Sequence, residues 1–285
     1  MTNPETLTKP CVWFWSAADA LRERLKSAGR LFLFVDFDGT LAPVVSTPSL
    51  ASLPLEHNDI LRALATRNDI VTAVISGRTV DDLRRRIGLP VIYAGNYGLE
   101  IQGPGLNYTV PGADEFRAMV FQICNRLRAR LALYAGVLVE CKALTATVHL
   151  RQALPWEAAE AQGIVRSTVG DHTGFQISAG KDAMEIHPAI SWNKGAAARW
   201  ILQSLSGRES EAICIGDDFM DEPMFAELSA GISVRVGRDD RTAAAYWVQE
   251  TEVAPLLSFL SDRAYGLRGD RPGNFQWLGK GPSRV

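Results

Sequence analysis

The chain has 285 residues, of which 47% are hydrophobic and 22% are charged, a composition typical of a globular protein with a sizeable core. Its formal net charge is −2, so no overall charge draws the molecule toward nucleic acid or anionic lipid. No stretch approaches the roughly 20 apolar residues of a membrane span, and the N-terminus lacks the long apolar run of a signal peptide. We therefore expect a cytoplasmic protein that binds neither nucleic acid nor membrane.

The cysteines stand far apart in the sequence, at Cys11, Cys124, Cys141 and Cys214. They form no CxxC pair and no histidine clusters with them, so neither a zinc site nor a thioredoxin-like motif is indicated. We interpret them as free thiols in a reducing compartment.

Short apolar runs alternate with amphipathic stretches near both ends of the chain. The apolar runs cover residues 31–36, 69–77, 91–95, 212–217 and 232–237. The helical patterns cover residues 55–68, 79–88 and 193–205. Continuous β-rich runs that alternate with helices indicate a parallel sheet covered on both faces, which predicts an α/β fold with a Rossmann-like core.

The middle of the chain has a different pattern. Residues 112–136 resemble one long amphipathic helix, and two strand-like runs follow it with no helix between them, which indicates a hairpin. Pro155 opens a second helical stretch, and residues 174–180 and 182–188 form a second hairpin pattern. Helices with hairpins predict an α+β unit that has an antiparallel sheet.

This unit interrupts the α/β pattern and so predicts an inserted domain. Glycines and prolines between residues 103 and 112 suit a linker into it, and Pro188 suits the return. We assign residues 1–110 and 188–285 to the core and residues 111–187 to the insert.

A pair of carboxylates ends the first apolar run, in the stretch VDFDGTL. Asp36 and Asp38 lie at the carboxyl end of a predicted central strand, the sheet edge where open α/β proteins bind ligands. Gly39 permits a tight turn there. An aspartate-rich turn after a strand is the structural alternative.

Two further polar residues follow later in the chain. Ser76 closes an apolar run in the motif ISGR, where its hydroxyl can donate to a phosphate oxygen, although serine–glycine loops are common. Lys194 begins a predicted helix after Asn193, a residue that suits an N-cap. A cation is unfavourable at this end of the helix dipole, which indicates an anion nearby; a solvated surface lysine is the alternative.

Acidic residues crowd the end of the fourth apolar run, in the stretch GDDFMDEPMF. Asp217, Asp218 and Asp221 offer only oxygen ligands, which suit Mg²⁺. A carboxylate about 4 Å from a phosphate dianion would be repelled by roughly 8 kcal/mol at an effective dielectric constant of about 20. A Mg²⁺ ion together with Lys194 could offset that repulsion and let Asp36 attack phosphorus.

In order and spacing, DxDGT, SGR, a lysine and GDD resemble the four motifs of haloacid dehalogenase-like phosphatases. The resemblance implies that Asp36 is the nucleophile that forms an aspartyl-phosphate and that Asp38 is the general acid and then the base. It also implies that Thr40 and Ser76 hold phosphoryl oxygens while Lys194 neutralises charge.

The same resemblance implies a Mg²⁺ cofactor. Its ligands would be Asp36, the main-chain carbonyl of Asp38, and Asp217, with Asp218 or Asp221 supporting through water. We place Asp218 in the predicted metal set and leave the choice between it and Asp221 open.

More narrowly, the chain resembles the trehalose-6-phosphate phosphatase family from about Leu31 to Leu260. The stretches that carry this resemblance are DFDGTLAP, GNYGLEI, ECKALTATVHLR, MEIHP followed by NKG, and GDDFMDEPMF. The chain departs from the family pattern at Tyr97, His187 and Met220, which bears on fine specificity and not on the phosphatase chemistry.

The resemblance implies that the insert is a cap that closes over the site and contacts the sugar. Glu140 and Lys142 alternate along one predicted strand, and His149 and Arg151 do the same on its partner, so each pair shares a face. Charged side chains on one face suit sugar hydroxyls, and an ordinary solvated face is the alternative. The predicted substrate-binding residues are Gly39, Gly77, Arg78, Asn96, Glu140, Lys142, Arg151 and Glu185.

The expected function is Mg²⁺-dependent hydrolysis of trehalose 6-phosphate to trehalose and phosphate by a monomer whose partner is this small sugar phosphate. A phosphatase for another glycosyl phosphate, such as sucrose 6-phosphate or mannosyl-phosphoglycerate, is the first alternative. A catalytically silent sugar-phosphate sensor is the second, although the chain has kept Asp38. An interaction module with an incidental site is the third.

Overall fold

A computed structural model describes residues 11–180, 182–239 and 241–262. The strands in these ranges are β1 (Val12–Trp13), β2 (Leu31–Val35), β3 (Ile70–Ile75), β4 (Ile92–Gly95), β5 (Glu100–Gly103), β6 (Leu106–Thr109), β7 (Leu138–Cys141), β8 (Ala146–His149), β9 (Phe175–Gly180), β10 (Ala183–Pro188), β11 (Ala212–Gly216), β12 (Ile232–Val236) and β13 (Tyr246–Val248).

The α-helices in the same ranges are α1 (Ala18–Ser27), α2 (Leu55–Ala65), α3 (Val80–Ile87), α4 (Arg117–Arg130), α5 (Pro155–Gly170), α6 (Lys194–Ser204), α7 (Glu222–Glu227) and α8 (Val253–Ser261). None of the helices in the described part of the chain is both long enough and apolar enough to cross a membrane.

The larger sheet carries the strand order β1-β13-β12-β11-β2-β3-β4-β5-β6. Neighbouring strands from β1 to β4 pair in parallel, whereas β5 and β6 add an antiparallel hairpin at one edge. The fold class is therefore α/β with a Rossmann-like parallel core, as the sequence predicts.

The central strand β2 is apolar throughout because both faces of the sheet are covered. Side chains alternate across a strand, so Leu31, Leu33 and Val35 pack into a core shared with α1, α2, α3 and α8. Phe32 and Phe34 point the other way, into a core shared with α6 and α7. Every residue of β2 is buried. The polar residues begin directly after the strand, at Asp36.

The inserted α+β unit has its own sheet, in the order β7-β8-β10-β9 with antiparallel pairing throughout. Helices α4 and α5 pack on one face of that sheet and share a separate hydrophobic core with it. The prediction of two hairpins and two helices in this part of the chain is confirmed.

Residues 12–17, which precede the stretch that resembles the family, also pack against the core. β1 pairs with β13 at the sheet edge, Phe14 is fully buried, and the Trp13 indole donates to Glu252 at 3.2 Å. Trp15 packs edge-on against Phe259 at 5.8 Å between ring centroids. These aromatic residues therefore attach residues 12–17 to the core, whereas residues 1–10 and the glycine- and arginine-rich tail after Asp262 lie outside the described residues.

Two local expectations differ from the structure. The glycine- and proline-rich stretch expected to be a linker contributes the last residue of β5, a hairpin turn that contains Gly105 with a φ of 76°, and strand β6. The helix expected over 112–136 is shorter, because the chain after Leu131 closes i→i+3 turns: Tyr134 N–H donates to Leu131, and Val137 N–H to Tyr134.

Candidate active site

The predicted motifs meet at the carboxyl edge of the larger sheet. Strands β11, β2 and β3 are neighbours, and Asp217, Asp36 and Ser76 are the first residues after them. Because parallel strands end at the same edge, these three side chains line one cleft. Gly77 also lines the cleft.

A buried ion-pair network lies at the base of the cleft. Lys194 Nζ donates to Asp36 Oδ1 at 2.6 Å and to Asp221 Oδ1 at 2.7 Å. Asn193 caps α6 by accepting from Ala196 N–H at 2.9 Å, as predicted. Burial disfavours the lysine charge, but Asp221 and Asp36 outweigh it and raise the pKa of Lys194 above its usual value. Lys194 is thus a fixed cation beside Asp36, not a solvated surface lysine.

An acidic cluster surrounds this lysine. Asp36, Asp217 and Asp221 each offer an oxygen, and these oxygens lie within 4.8 Å of one another. Burial raises the pKa of Asp36 well above its usual value, and Asp221 and Asp217 add to the shift although Lys194 opposes it. Burial and Asp221 likewise raise the pKa of Asp217 to about 7.

The donor chemistry of this cluster fits Mg²⁺. All its ligand atoms are carboxylate oxygens, the type that Mg²⁺ prefers, and their mutual repulsion is larger than one lysine neutralises. A divalent cation would offset the repulsion that adds to burial in raising the pKa of Asp36 and Asp217.

The structure distinguishes the two aspartates that the sequence leaves open. Asp221 is fully buried, and its Oδ2 accepts from the N–H groups of Asp217 and Asp218, each at 3.1 Å. Asp218 lines the cleft, but its Oδ1 accepts from Phe219 N–H at 2.5 Å and it is not part of the three-carboxylate cluster. The cluster geometry therefore favours Asp221 over Asp218 as the third carboxylate.

The loop after β2 is fitted closely around Asp217. Gly39 has a φ of 87°, and a Cβ there would lie 2.1 Å from Asp217 Oδ2, so only glycine fits. Thr40 is buried and its hydroxyl donates to Asp217 Oδ1 at 3.4 Å. In this arrangement Gly39 and Thr40 support Asp217 and are not among the residues that line the cleft.

Asp38 is held by Arg78. The Arg78 guanidinium donates to both Asp38 oxygens, each at 2.7 Å, through Nε and Nη2. It also donates to Asp82 at 2.7 Å and to the Pro48 carbonyl at 2.9 Å. Burial opposes the charge, but Asp38 and Asp82 raise the pKa of Arg78 above its already high value. Arg78 therefore fixes the orientation of the Asp38 carboxylate.

The inserted sheet contributes a charged face to the same cleft. Glu140, Lys142, His149 and Glu185 line it, and the strand register explains why. Thr147 on β8 lies opposite both Glu140 on β7 and Glu185 on β10, which places the two glutamates in one row across three strands.

Hydrogen bonds order this charged face. His149 Nε2 lies 2.9 Å from Glu140 Oε2, and Thr147 donates to Glu185 Oε2 at 2.7 Å. Lys142 Nζ lies 3.9 Å from Glu140 and 3.8 Å from Glu185. Burial opposes ionisation of Glu140, but His149 and Lys142 lower the pKa of this carboxyl below its usual value, so it remains an acceptor.

Arg151 lies where the insert meets the core. It lines the cleft, and its Nη1 donates to the Val45 carbonyl at 2.6 Å. The next residue, Gln152, donates to the Ser46 carbonyl at 3.4 Å and to the Thr47 hydroxyl at 3.3 Å. Arg151, a predicted sugar contact, thus also binds the core loop that contains Val45.

Asn96, one of the predicted substrate-binding residues, does not line the cleft. It is fully buried: its Oδ1 accepts from the Thr145 hydroxyl at 2.7 Å, and its Nδ2 donates to Glu100 at 3.0 Å. Its side-chain amide is occupied by these contacts, so it joins the core to the turn between β7 and β8.

The adjacent residue, Tyr97, does line the cleft and was not among the predicted site residues. The glycines that flank the Asn–Tyr pair in GNYG were a signal of an unusual turn there. Asp182 also lines the cleft, and no local motif singles it out.

Comparison with known proteins agrees with this geometry. The family model for trehalose-phosphatases matches residues 34–250. The trehalose-phosphate phosphatase of Mycobacterium ulcerans is 33% identical over 228 residues, which cover 77% of this chain and 58% of the relative. The probable trehalose-phosphate phosphatase 3 of Oryza sativa subsp. japonica is 32% identical over 269 residues, which cover 86% and 72% of the two chains.

The chain spans less than two thirds of the mycobacterial relative. Its fold is similar to that of the C-terminal domain of a trehalose-6-phosphate phosphatase from C. albicans, with a TM-score of 0.72 and 22% identity over 90% of this chain and 99% of that one. The family match includes every residue of the acidic cluster and of the cleft that faces it. The chain therefore belongs to the trehalose-phosphatase family.

Proposed function

We propose that the protein is a Mg²⁺-dependent phosphatase that hydrolyses trehalose 6-phosphate to trehalose and phosphate through an aspartyl-phosphate on Asp36. The observation that carries this proposal is the meeting of two surfaces in one cleft. Asp36 with its paired Lys194 lies on the core side, and a row of sugar-compatible side chains lies on the insert side.

Asp36 suits the role of nucleophile. Its carboxylate oxygen would form the bond to phosphorus while the bond from phosphorus to the sugar oxygen breaks. Lys194, 2.6 Å away, favours the ionised carboxylate and would reduce the repulsion of the incoming phosphate dianion. Ser76, which lines the cleft, would donate to a phosphoryl oxygen.

Asp38 suits the role of general acid and base. It would give its proton to the departing sugar oxygen and later take a proton from the water that hydrolyses the aspartyl-phosphate. Both of its oxygens are bound to Arg78 in the structure. Proton transfer therefore requires that one of them be released toward the leaving group.

The residues that would hold Mg²⁺ are Asp36, Asp217 and Asp221, together with the main-chain carbonyl of Asp38. When bound, the ion supplies positive charge that offsets the repulsion between carboxylates and phosphate. Thr40, whose hydroxyl donates to Asp217, would help to orient that ligand. Asp218 would act from the rim of the site.

The insert suits a cap that recognises the sugar. We propose the limits 111–187 for it; the four-stranded sheet and its two helices span residues 117–188, so only Pro188, the last residue of β10, falls outside these limits. Glu140, Lys142, Arg151 and Glu185 would bind the hydroxyl groups of the disaccharide. A monomeric, cytoplasmic protein remains our expectation.

Phosphate release from a panel of sugar phosphates, with Mg²⁺ or with EDTA, tests the proposal. The panel contains trehalose 6-phosphate, sucrose 6-phosphate, glucose 6-phosphate and mannosyl-phosphoglycerate. We expect Mg²⁺-dependent release with a strong preference for trehalose 6-phosphate. Preference for another member would contradict the substrate but keep the chemistry, and release of phosphate from none of them would contradict both.

A further inference from the structure

The turn that carries Tyr97 has an unusual backbone conformation. Asn96 has a φ of 50° and Tyr97 a φ of 59°, so two consecutive residues lie in the left-handed region. Glycine and asparagine tolerate this region, whereas a bulky aromatic residue there is strained. Strain of this kind persists where the side chain has a role and the surroundings hold it in place.

The surroundings of Tyr97 do hold it in place. Its N–H donates to the Ser76 carbonyl at 2.9 Å, and the Asn96 N–H donates to the Arg78 carbonyl at 2.7 Å. Asn96 also accepts from Thr145 on the turn between β7 and β8. The strained turn is thereby bound to the loop that presents Ser76, and also to the insert.

The phenol of Tyr97 lies over that loop. A Cβ on Gly77 would be 2.6 Å from the Tyr97 Oη and Cζ atoms, so the glycine leaves room for the ring. Lys142 Nζ lies 6.0 Å from the ring centroid. Tyr97 therefore lies in the cleft between the loop of the phosphate site and the charged face of the insert.

The hydroxyl of Tyr97 lies beside the Glu185 carboxylate in the cleft. Glu185 Oε2 accepts from the Thr147 hydroxyl at 2.7 Å. Burial, and then Glu185, raise the pKa of Tyr97 well above its usual value, so the phenol keeps its proton and remains a donor.

We propose that Tyr97 is a positioning residue that sets the sugar preference of the site: its hydroxyl orients Glu185, and its ring supports Lys142, against the leaving sugar. This inference rests on the proposed function, because it requires that the insert bind the sugar of a phosphate ester. A residue that only filled space would affect all phosphate esters alike, whereas Tyr97 should affect only those with a sugar.

The test compares trehalose 6-phosphate with para-nitrophenyl phosphate, a phosphate ester that has no sugar. Tyr97→Phe removes only the hydroxyl that lies beside Glu185, so we expect KM for trehalose 6-phosphate to rise about fivefold with kcat little changed. The kcat/KM for para-nitrophenyl phosphate should change less than about twofold.

A second variant distinguishes a role of Tyr97 in sugar preference from a purely structural role. Tyr97→Asn removes the ring but places a residue that tolerates the left-handed region, so relief of backbone strain should offset part of the stability lost with the ring packing. Its KM for trehalose 6-phosphate should rise about tenfold or more. Equal losses on both substrates in Tyr97→Asn would indicate a purely structural role and overturn the inference.

Tyr93→Phe is the matched control. The Tyr93 hydroxyl is buried, donates to the Leu89 carbonyl at 2.5 Å and accepts from its N–H at 3.1 Å, and it does not line the cleft. We expect this variant to lose stability and to keep the wild-type substrate preference.

The two proposals fail in different ways. Wild-type protein that releases no phosphate from trehalose 6-phosphate overturns the proposed function and this inference with it. Wild-type protein that does so, with a Tyr97→Phe variant of identical preference, overturns the inference alone.

Discussion

Replacement of Arg78 by methionine should free Asp38, the proposed acid/base residue, from the side chain that orients it. Arg78 is buried and donates four hydrogen bonds, two of them to Asp38, one to Asp82 and one to the Pro48 carbonyl. Methionine fills a similar volume but donates none of these bonds. The substitution therefore leaves Asp38 without its bidentate partner.

The cost in stability follows from how well the partners can compensate. Removal of one member of a buried ion pair typically costs about 3–5 kcal/mol. Here Asp82 keeps its bond to Arg86 at 2.7 Å, and the Asp38 side chain is 43% exposed and can be solvated. We therefore expect Arg78→Met to lower the free energy of unfolding by about 2–3 kcal/mol, below that range.

The cost in activity should be of similar size, because a tenfold to hundredfold fall in kcat corresponds to about 1.4–2.7 kcal/mol. General acid–base catalysis contributes about 10²–10⁴-fold, and an unoriented Asp38 should lose part of it. We expect kcat with Mg²⁺ and trehalose 6-phosphate to fall about tenfold to a hundredfold. Arg78→Lys should be intermediate, because an ammonium keeps the charge but cannot hold both oxygens in one plane.

Arg86→Met provides the control, measured by urea unfolding and by phosphate release. Arg86 shares Asp82 with Arg78 through a bond of 2.7 Å but donates none to Asp38. This variant should lose about 1–2 kcal/mol of stability and keep its activity. Unchanged turnover in folded Arg78→Met, or an equal loss of turnover in Arg86→Met, would refute the assignment of Arg78 as the support of Asp38.

Three further predictions test other parts of the site. Asp36→Asn should remove turnover by at least about a thousandfold and leave the fold intact, because it also relieves buried charge repulsion; circular dichroism and phosphate release check it. Glu140→Ala should reduce kcat/KM for trehalose 6-phosphate about tenfold to a hundredfold, as expected for lost bonds to a charged acceptor, yet change that for para-nitrophenyl phosphate little; equal losses would exclude a sugar-selective role. Burial opposes ionisation of Asp82, but Arg86 and Arg78 outweigh it and lower the pKa of this carboxyl, so it stabilises the fold at pH values above its ordinary pKa. Asp82→Asn should therefore destabilise by about 1–2 kcal/mol near pH 7, and this difference should shrink as pH falls through the lowered pKa, which unfolding curves at several pH values measure.

The sequence predicts the core side of the site well for a physical reason. A fully apolar strand such as β2 must be buried on both faces, and a carboxylate can follow it only at the sheet edge. Asp36, Ser76 and Asp217 each follow such a strand directly. Parallel pairing then brings them together without any further information about side chains.

The choice between Asp218 and Asp221 depends on geometry that the sequence does not contain. Both follow β11 closely, and acidic residues are normal at the start of a helix. A short 3₁₀ turn, Phe219–Asp221, carries Asp221 back under the strand end. There it meets Lys194 and the N–H groups of Asp217 and Asp218, contacts that no spacing rule indicates.

The hydrogen bonds between the insert and the core likewise depend on tertiary structure that the sequence does not reveal. The loop of residues 45–48 accepts hydrogen bonds from Arg151 and Gln152 of the insert, residues more than a hundred positions away in sequence. The Pro48 carbonyl of the same loop accepts from Arg78, the residue that binds both oxygens of Asp38. One connected set of contacts thus links the insert to the Asp38 carboxylate. A displacement of the insert that moves this loop would also change the contacts that hold Asp38, so we expect the position of the proposed cap and the orientation of the proposed acid to be coupled.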